Sequence, residues 1–153
     1  MDYYRRVSKT IKQRTPMMCY AAAFESWLGT FPGVMAENQD DIAADYGDAN
    51  IQNGAPEKNM LQLLNDQNVQ YVDWGHGNTN LTMDLVLKAL RFSHVIFVYH
   101  TDEGASHAVV VYGVSDRNGV PQISFMDPWN GSYRWANLSD FDGKPWLVGW
   151  KRP

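Results

Sequence analysis

Between residues 18 and 92 the apolar positions recur at helical spacing. In "MCYAAAFESWLG" (18–29) Tyr20, Phe24, Trp27 and Leu28 share a face among strong helix formers, and Gly29 follows as a stop. "NQDDIAADYG" (38–47) predicts a shorter helix closed by Gly47. "APEKNMLQLLNDQ" (55–67) has Pro56 near its first turn and aligns Met60, Leu63 and Leu64. "NLTMDLVLKALRF" (80–92) offers Asn80 as a cap and carries Leu81, Leu85, Val86, Ala89 and Leu90.

From residue 94 onward the pattern is that of strands. "HVIFVYH" (94–100), "SHAVVVYGV" (106–114), "VPQISFMD" (120–127), "GSYRWAN" (131–137) and "PWLVGWK" (145–151) are rich in β-branched and aromatic residues and are separated by Gly, Asn, Asp and Pro. Helices first and a mostly antiparallel sheet second predict an α+β domain, with a cleft where the halves meet. The 153 residues fit a single domain over 1–153, with no internal repeat.

"DRNG" (116–119) predicts a hairpin turn, with Asn118-Gly119 suited to positive φ. Its length has a consequence for the next strand. A strict two-residue loop would pair Arg117 with Val120 and Asp127 with Val110, so His107 and Asp127 would point to opposite faces. A three-residue loop or a bulge shifts the pairing by one, sets Asp127 against Val109, and brings it to the face of His107. The two would then be diagonal neighbours roughly 7–8 Å apart at Cα.

Composition narrows the function classes. Apolar residues make up 44% and charged residues 20% of the chain, ordinary for a globular protein. The net charge of −4 offers no basic field for nucleic acid or anionic membranes. The longest apolar runs are strand-sized, and "MDYYRRVSKTIKQ" lacks the apolar stretch of a signal peptide. The single cysteine excludes an intrachain disulfide and suits a reducing cytoplasm. The sequons at Asn80, Asn130 and Asn137 have meaning only in a secretory pathway, which nothing else here supports.

Cys19 opens the first predicted helix, where unpaired N–H groups favour thiolate over thiol. Taken singly, a lone cysteine is more often a small buried hydrophobe. His107 starts an apolar strand after a small-residue loop, and Asp127 ends the next strand before Pro128. Their bland readings are a hydrogen-bonded structural histidine and an Asp-Pro turn. Gln13 stands six residues before Cys19, where its amide could join the Cys19 N–H in holding an oxyanion. His76 and His100 stand beside acids without a paired ligand motif, so no metal is expected. His94 begins a strand and reads as structural, and Asn130 is the substitute for Asp127 as a ring-orienting group.

Together, Gln13, Cys19 with Tyr20-Ala21, Ser106-His107-Ala108-Val109, and Asp127-Pro128-Trp129 with Gly131 resemble the papain-like cysteine peptidases. In pattern the chain is most similar to the bacterial branch of double-glycine leader peptidases and secreted effectors. It departs from plant and lysosomal members in having Met17-Met18 before the cysteine, and in lacking their disulfides and pro-segment.

The resemblance implies a papain-like fold, a helical lobe with Cys19 at a helix N-terminus packed on a sheet lobe. It also implies a Cys19–His107 thiolate–imidazolium pair oriented by Asp127, with Gln13 at the oxyanion. Trp129, Met18 and Ser106 would meet the substrate, and Trp129 would shield the His–Asp hydrogen bond. No metal or other cofactor is required. The expected reaction is protein cleavage through a thioester, by analogy after small residues such as Gly-Gly.

The same Cys–His–polar order serves cell-wall amidases of the NlpC/P60 type, transglutaminases and glutamine deamidases, or could persist in an inactive binding module. The 88-residue interval from Cys19 to His107 and the upstream Gln13 favour the peptidase. An unguarded protease would endanger its own cytosol. This suggests a bacterial toxin or effector domain, delivered to the reducing cytoplasm of a target cell and neutralised at home by an immunity or inhibitor protein.

Overall fold

The computed structural model describes residues 2–33, 37–47, 57–75 and 79–151. In chain order these form β1 (Asp2–Tyr4), α1 (Cys19–Leu28), α2 (Gln39–Tyr46), α3 (Glu57–Asp66), β2 (Gln70–Asp73), α4 (Met83–Phe92), β3 (Val95–His100), β4 (Ser106–Ser115), β5 (Gln122–Asp127), β6 (Ser132–Asn137) and β7 (Pro145–Trp150). The seven strands make one antiparallel sheet in the order β2-β7-β3-β4-β5-β6. β1 pairs β4 at Gly113–Ser115, beyond the stretch that β3 occupies.

The expected helices form at the expected places, with one change of cap. Thr82, not Asn80, caps α4, its hydroxyl accepting from Leu85 N–H at 3.3 Å. The Asn80 side chain instead accepts from the Gly143 N–H. Pro56, expected near the first turn of α3, lies outside the described residues. The five strands expected after residue 94 all form. β1 and β2, at three and four residues, are too short to show an alternating pattern of their own.

The sheet separates two cores. Phe24, Trp27, Leu28, Ile42, Leu63 and Leu64 from α1–α3 pack on Ile96, Val98, Val110, Met126 and Leu147. Val86, Ala89 and Leu90 of α4, with Leu138 and Phe141 of a 3-10 turn, pack on Phe97, Val109, Val111, Phe125 and Val148 of the other face. Alternate residues of each strand therefore feed opposite cores, as a pleated strand requires. The helices do not all sit on one side. α1–α3 cover one face and α4 the other.

Hydrogen bonds tie residues 5–15, which have no regular structure, across the domain. The Arg5 side chain donates to the carbonyls of Leu90 and Arg91. The Ser26 hydroxyl donates to Lys9 O at 2.5 Å and Gln39 Nε2 to Lys12 O at 2.8 Å. Gln13 N–H donates to Pro128 O at 2.8 Å, which docks this segment on the turn after Asp127.

Candidate active site

The β4–β5 register decides the geometry of the site. Ser115 pairs with Gln122 across a six-residue connection (116–121) in which Asn118 and Gly119 take φ of 65° and 75°. That even-length loop alone would leave Asp127 on the wrong face. Between Val111 and Gly113 the register shifts, so Tyr112 is an extra residue with no partner in β5. Beyond it Val110 pairs with Met126, and one further step sets Asp127 opposite Val109 on the face of His107. The bulged Tyr112 carbonyl accepts from Arg5 N–H at 2.8 Å, so its hydrogen bonding is not lost.

His107 Nε2 lies 2.7 Å from Asp127 Oδ1, with side chains 14% and 3% exposed. The same Oδ1 accepts from Trp129 N–H at 3.0 Å, and Oδ2 accepts from Arg134 Nη1 at 3.0 Å. Burial by itself would lower the His107 pKa. Hydrogen bonds to Asp127 and Cys19, with the negative charge of both, outweigh it and push the value up to about 9. Burial would raise the Asp127 pKa, but the hydrogen bonds from His107 and Trp129, the imidazolium charge and Arg134 hold it below the ordinary carboxylate value.

Cys19 is the first residue of α1. Its N-cap, Met18, contributes no side-chain bond, and the first bond of the helix runs from Ala22 N–H to Met18 O. The N–H groups of the first turn thus have no partner within the helix and sit beside the thiol. Cys19 Sγ lies 3.9 Å from Ser106 O at the start of β4. Between α1 and the sheet end where β3 and β5 finish and β4 begins lies a cleft of about 430 Å³. Cys19, His107 and Asp127 line it, with Met17, Tyr99, Trp129 and Arg134 among the other walls.

The residues singled out from sequence distribute unequally. Cys19, His107 and Asp127 converge on the cleft, and Ser106 and Trp129 line it. Trp129 stands 54% exposed and touches the pair through its backbone N–H rather than by enclosing it. Met17, not Met18, is in the cleft wall. Gln13 is buried outside the lining, its Nε2 donating to Thr15 O at 3.0 Å and its Oε1 without a partner among the described residues. Asn130 is exposed in the turn, so Asp127 is the group on the histidine.

His94 is structural as expected. Its ring nitrogen meets Arg6 O and its carbonyl accepts from Trp27 Nε1 at 2.8 Å. His100 stacks on Trp146 at 5.6 Å and its Nε2 lies 2.8 Å from Gly75 O. His76 lies outside the described residues. Among those described, no three His, Cys, Asp or Glu residues gather to hold a metal, and no helix is long and apolar enough to cross a membrane.

Two residues of the site escape a reading of the sequence. Tyr99 pairs with His107 across β3–β4 and meets its ring edge-on at 5.7 Å. Burial, reinforced by the Asp127 charge, pushes its pKa up to about 12, so it remains a neutral phenol. Arg134 reaches Asp127 from β6, where Asp127 pairs with Ser132 and residues 132 and 134 share a face. The four-residue connection Pro128–Gly131 is the signal that would have disclosed Arg134, once read as a hairpin.

Residues 4–145 match the family described as papain-like cysteine protease AvrRpt2. Among solved structures the chain is similar to the peptidase domain of Streptococcus ComA, a bi-functional ABC transporter involved in a quorum-sensing pathway. The TM-score is 0.66 at 12% identity, over 95% of this chain and 98% of that one. At that identity the likeness concerns the fold. No curated protein matches the chain. With all but its ends inside the family match, the chain belongs to the papain-like cysteine proteases and is an α+β cysteine protease acting on protein.

Proposed function

We propose that Cys19, His107 and Asp127 form the catalytic triad and that peptide cleavage runs through a thioester on Cys19. The observation that carries this reading is the 2.7 Å His107–Asp127 hydrogen bond beside the uncapped helix start that bears the thiol. The imidazolium favoured on His107 pairs with a thiolate, which attacks the scissile carbonyl. The first-turn N–H groups of α1, led by that of Cys19, face the developing oxyanion. The Gln13 amide N–H would join them after turning from Thr15 O, the acceptor it now has. His107 then gives its proton to the leaving amine, and with that amine gone it activates the water that hydrolyses the thioester.

The substrate is an extended protein segment, and the resemblance to leader peptidases favours small residues such as Gly-Gly before the scissile bond. A lone catalytic thiol suits a reducing cytoplasm, and a toxin or effector domain controlled by an immunity protein is the setting that fits best. The test is expression of the wild-type chain and Cys19→Ala under tight induction in a bacterium, with new protein N-termini mapped alongside growth. A small set of new N-termini that Cys19→Ala abolishes is the expected result. Identical N-termini from the two chains would overturn the triad, and growth defects without cleavage would direct attention to amidase or deamidase chemistry.

A further inference from the structure

A thiolate, an imidazolium and a carboxylate sum to one net negative charge. A neutral asparagine as third member would leave the pair balanced, so an aspartate there adds a charge. Here it is added in a poor place, because the Asp127 side chain is 3% exposed and little water reaches it. A carboxylate near the thiolate, as a second negative group, opposes ionisation of the thiol that the mechanism needs. The cation that balances it is on the neighbouring strand. Arg134 Nη1 meets Asp127 Oδ2 at 3.0 Å, while Oδ1 remains on His107 and the Trp129 N–H.

We propose that Arg134 is a positioning residue that neutralises the charge introduced by Asp127 and holds Oδ2, so that Oδ1 stays aimed at His107. This rests on the triad reading above. The pairing is built into the hairpin. Asp127 opposes Ser132 at its mouth, and Arg134, one step along the same face, reaches diagonally back to the carboxylate. Arginine suits the task because it stays charged and its planar fork holds a carboxylate oxygen in direction as well as distance.

The other ionisable groups around the cluster do not supply this charge. Tyr99 from β3 and Tyr20 from α1 are phenols whose pKa values are raised, Tyr99 to about 12. Glu103, in the loop before β4, also lines the cleft and would add negative charge. Among the described residues that line it, Arg134 is the one permanent cation.

The test needs no identified substrate, since iodoacetamide reports thiolate at Cys19 directly. Alkylation rates at mildly acidic pH are measured for the wild type, Arg134→Gln, Arg134→Lys, Asp127→Asn and the double variant Asp127→Asn/Arg134→Gln. Melting temperatures accompany them, to separate unfolding from loss of charge. Arg134→Gln should slow alkylation about three- to tenfold, the effect of a partly solvated opposite charge. Arg134→Lys should recover a good part of the rate. In the Asp127→Asn background, with no carboxylate to balance, removing Arg134 should change the rate less than about twofold.

An equal loss from Arg134→Gln in both backgrounds, or no loss in either, overturns the proposal. A wild-type Cys19 that reacts no faster than an ordinary thiol overturns the triad reading itself. The two failures are thus distinguishable.

Discussion

At the scale of the residue, Asp127 has both oxygens occupied, and the consequence is carried by His107. Asp127→Asn removes the carboxylate charge while keeping the shape. The His107 pKa should then fall from about 9 toward its ordinary value, because burial, which lowers it, goes less opposed. The alkaline limb of the kcat/KM profile should move to lower pH by at least a unit. Activity near neutral pH should drop roughly a hundredfold or more, the usual worth of a positioned acid–base group.

Stability should follow the same group. A pKa raised above its unfolded value of 6.5 gives stability that is fully present below 6.5 and lost as pH rises through about 9. The wild-type melting temperature should therefore decline over that window. Asp127→Asn should flatten the decline, and a pH series of thermal melts on both proteins checks it. Cys19, His107 and Asp127, which line one cleft, were marked out in the sequence by their order together with the family resemblance. Arg134 was not, because its partner is chosen by the register of β5 against β6.

At the scale of the element, two irregularities place the site. The Tyr112 bulge turns Asp127 to the face of His107, a condition that the parity of the hairpin imposes and that local propensity does not reveal. The second is Gly131, at φ 61°, in the turn after Asp127. A Cβ there would stand 3.1 Å from the backbone of Lys12, which is part of the segment that carries Gln13. Gly131→Ala should destabilise the domain by about 1–2 kcal/mol, through the left-handed φ and this contact. It should also lower activity, because the Gln13–Pro128 docking lies next to both. Chemical denaturation and an activity assay on the same preparation check the two effects. β1 escaped notice for a related reason. It is a strand only because β4 offers an edge there and Gly113 leaves room for the Tyr4 ring.

At the scale of the whole molecule, the cleft is where one core layer meets the end of the sheet. α1 carries Cys19 at its start and buries Phe24, Trp27 and Leu28 along its length, so the proposed nucleophile is anchored by the core. Trp27 is fully buried and its Nε1 donates to His94 O. Trp27→Ala should cost about 3–5 kcal/mol, enough to unfold much of a marginal domain, and activity should vanish with the fold. Trp27→Phe should keep the fold at a smaller cost, with activity falling only as far as α1 loosens. Circular dichroism melts of the two variants separate these outcomes.

Sequence alone determined what depends on neighbours along the chain. The change from helical to strand periodicity, the positive φ at Asn118-Gly119, Cys19 at a helix start, and the order glutamine, cysteine, histidine, aspartate are all local or one-dimensional properties. Tertiary structure decided the rest. It put α4 on the far face of the sheet, gave Thr82 rather than Asn80 the cap, turned the Gln13 amide to Thr15, and set Met17 rather than Met18 in the cleft wall. It also inserted the bulge and delivered Arg134 to Asp127. The physical reason is common to these cases. A side chain's face and partner are set by the pairing of strands and the packing of layers distant in sequence, and one residue of register reverses every such contact.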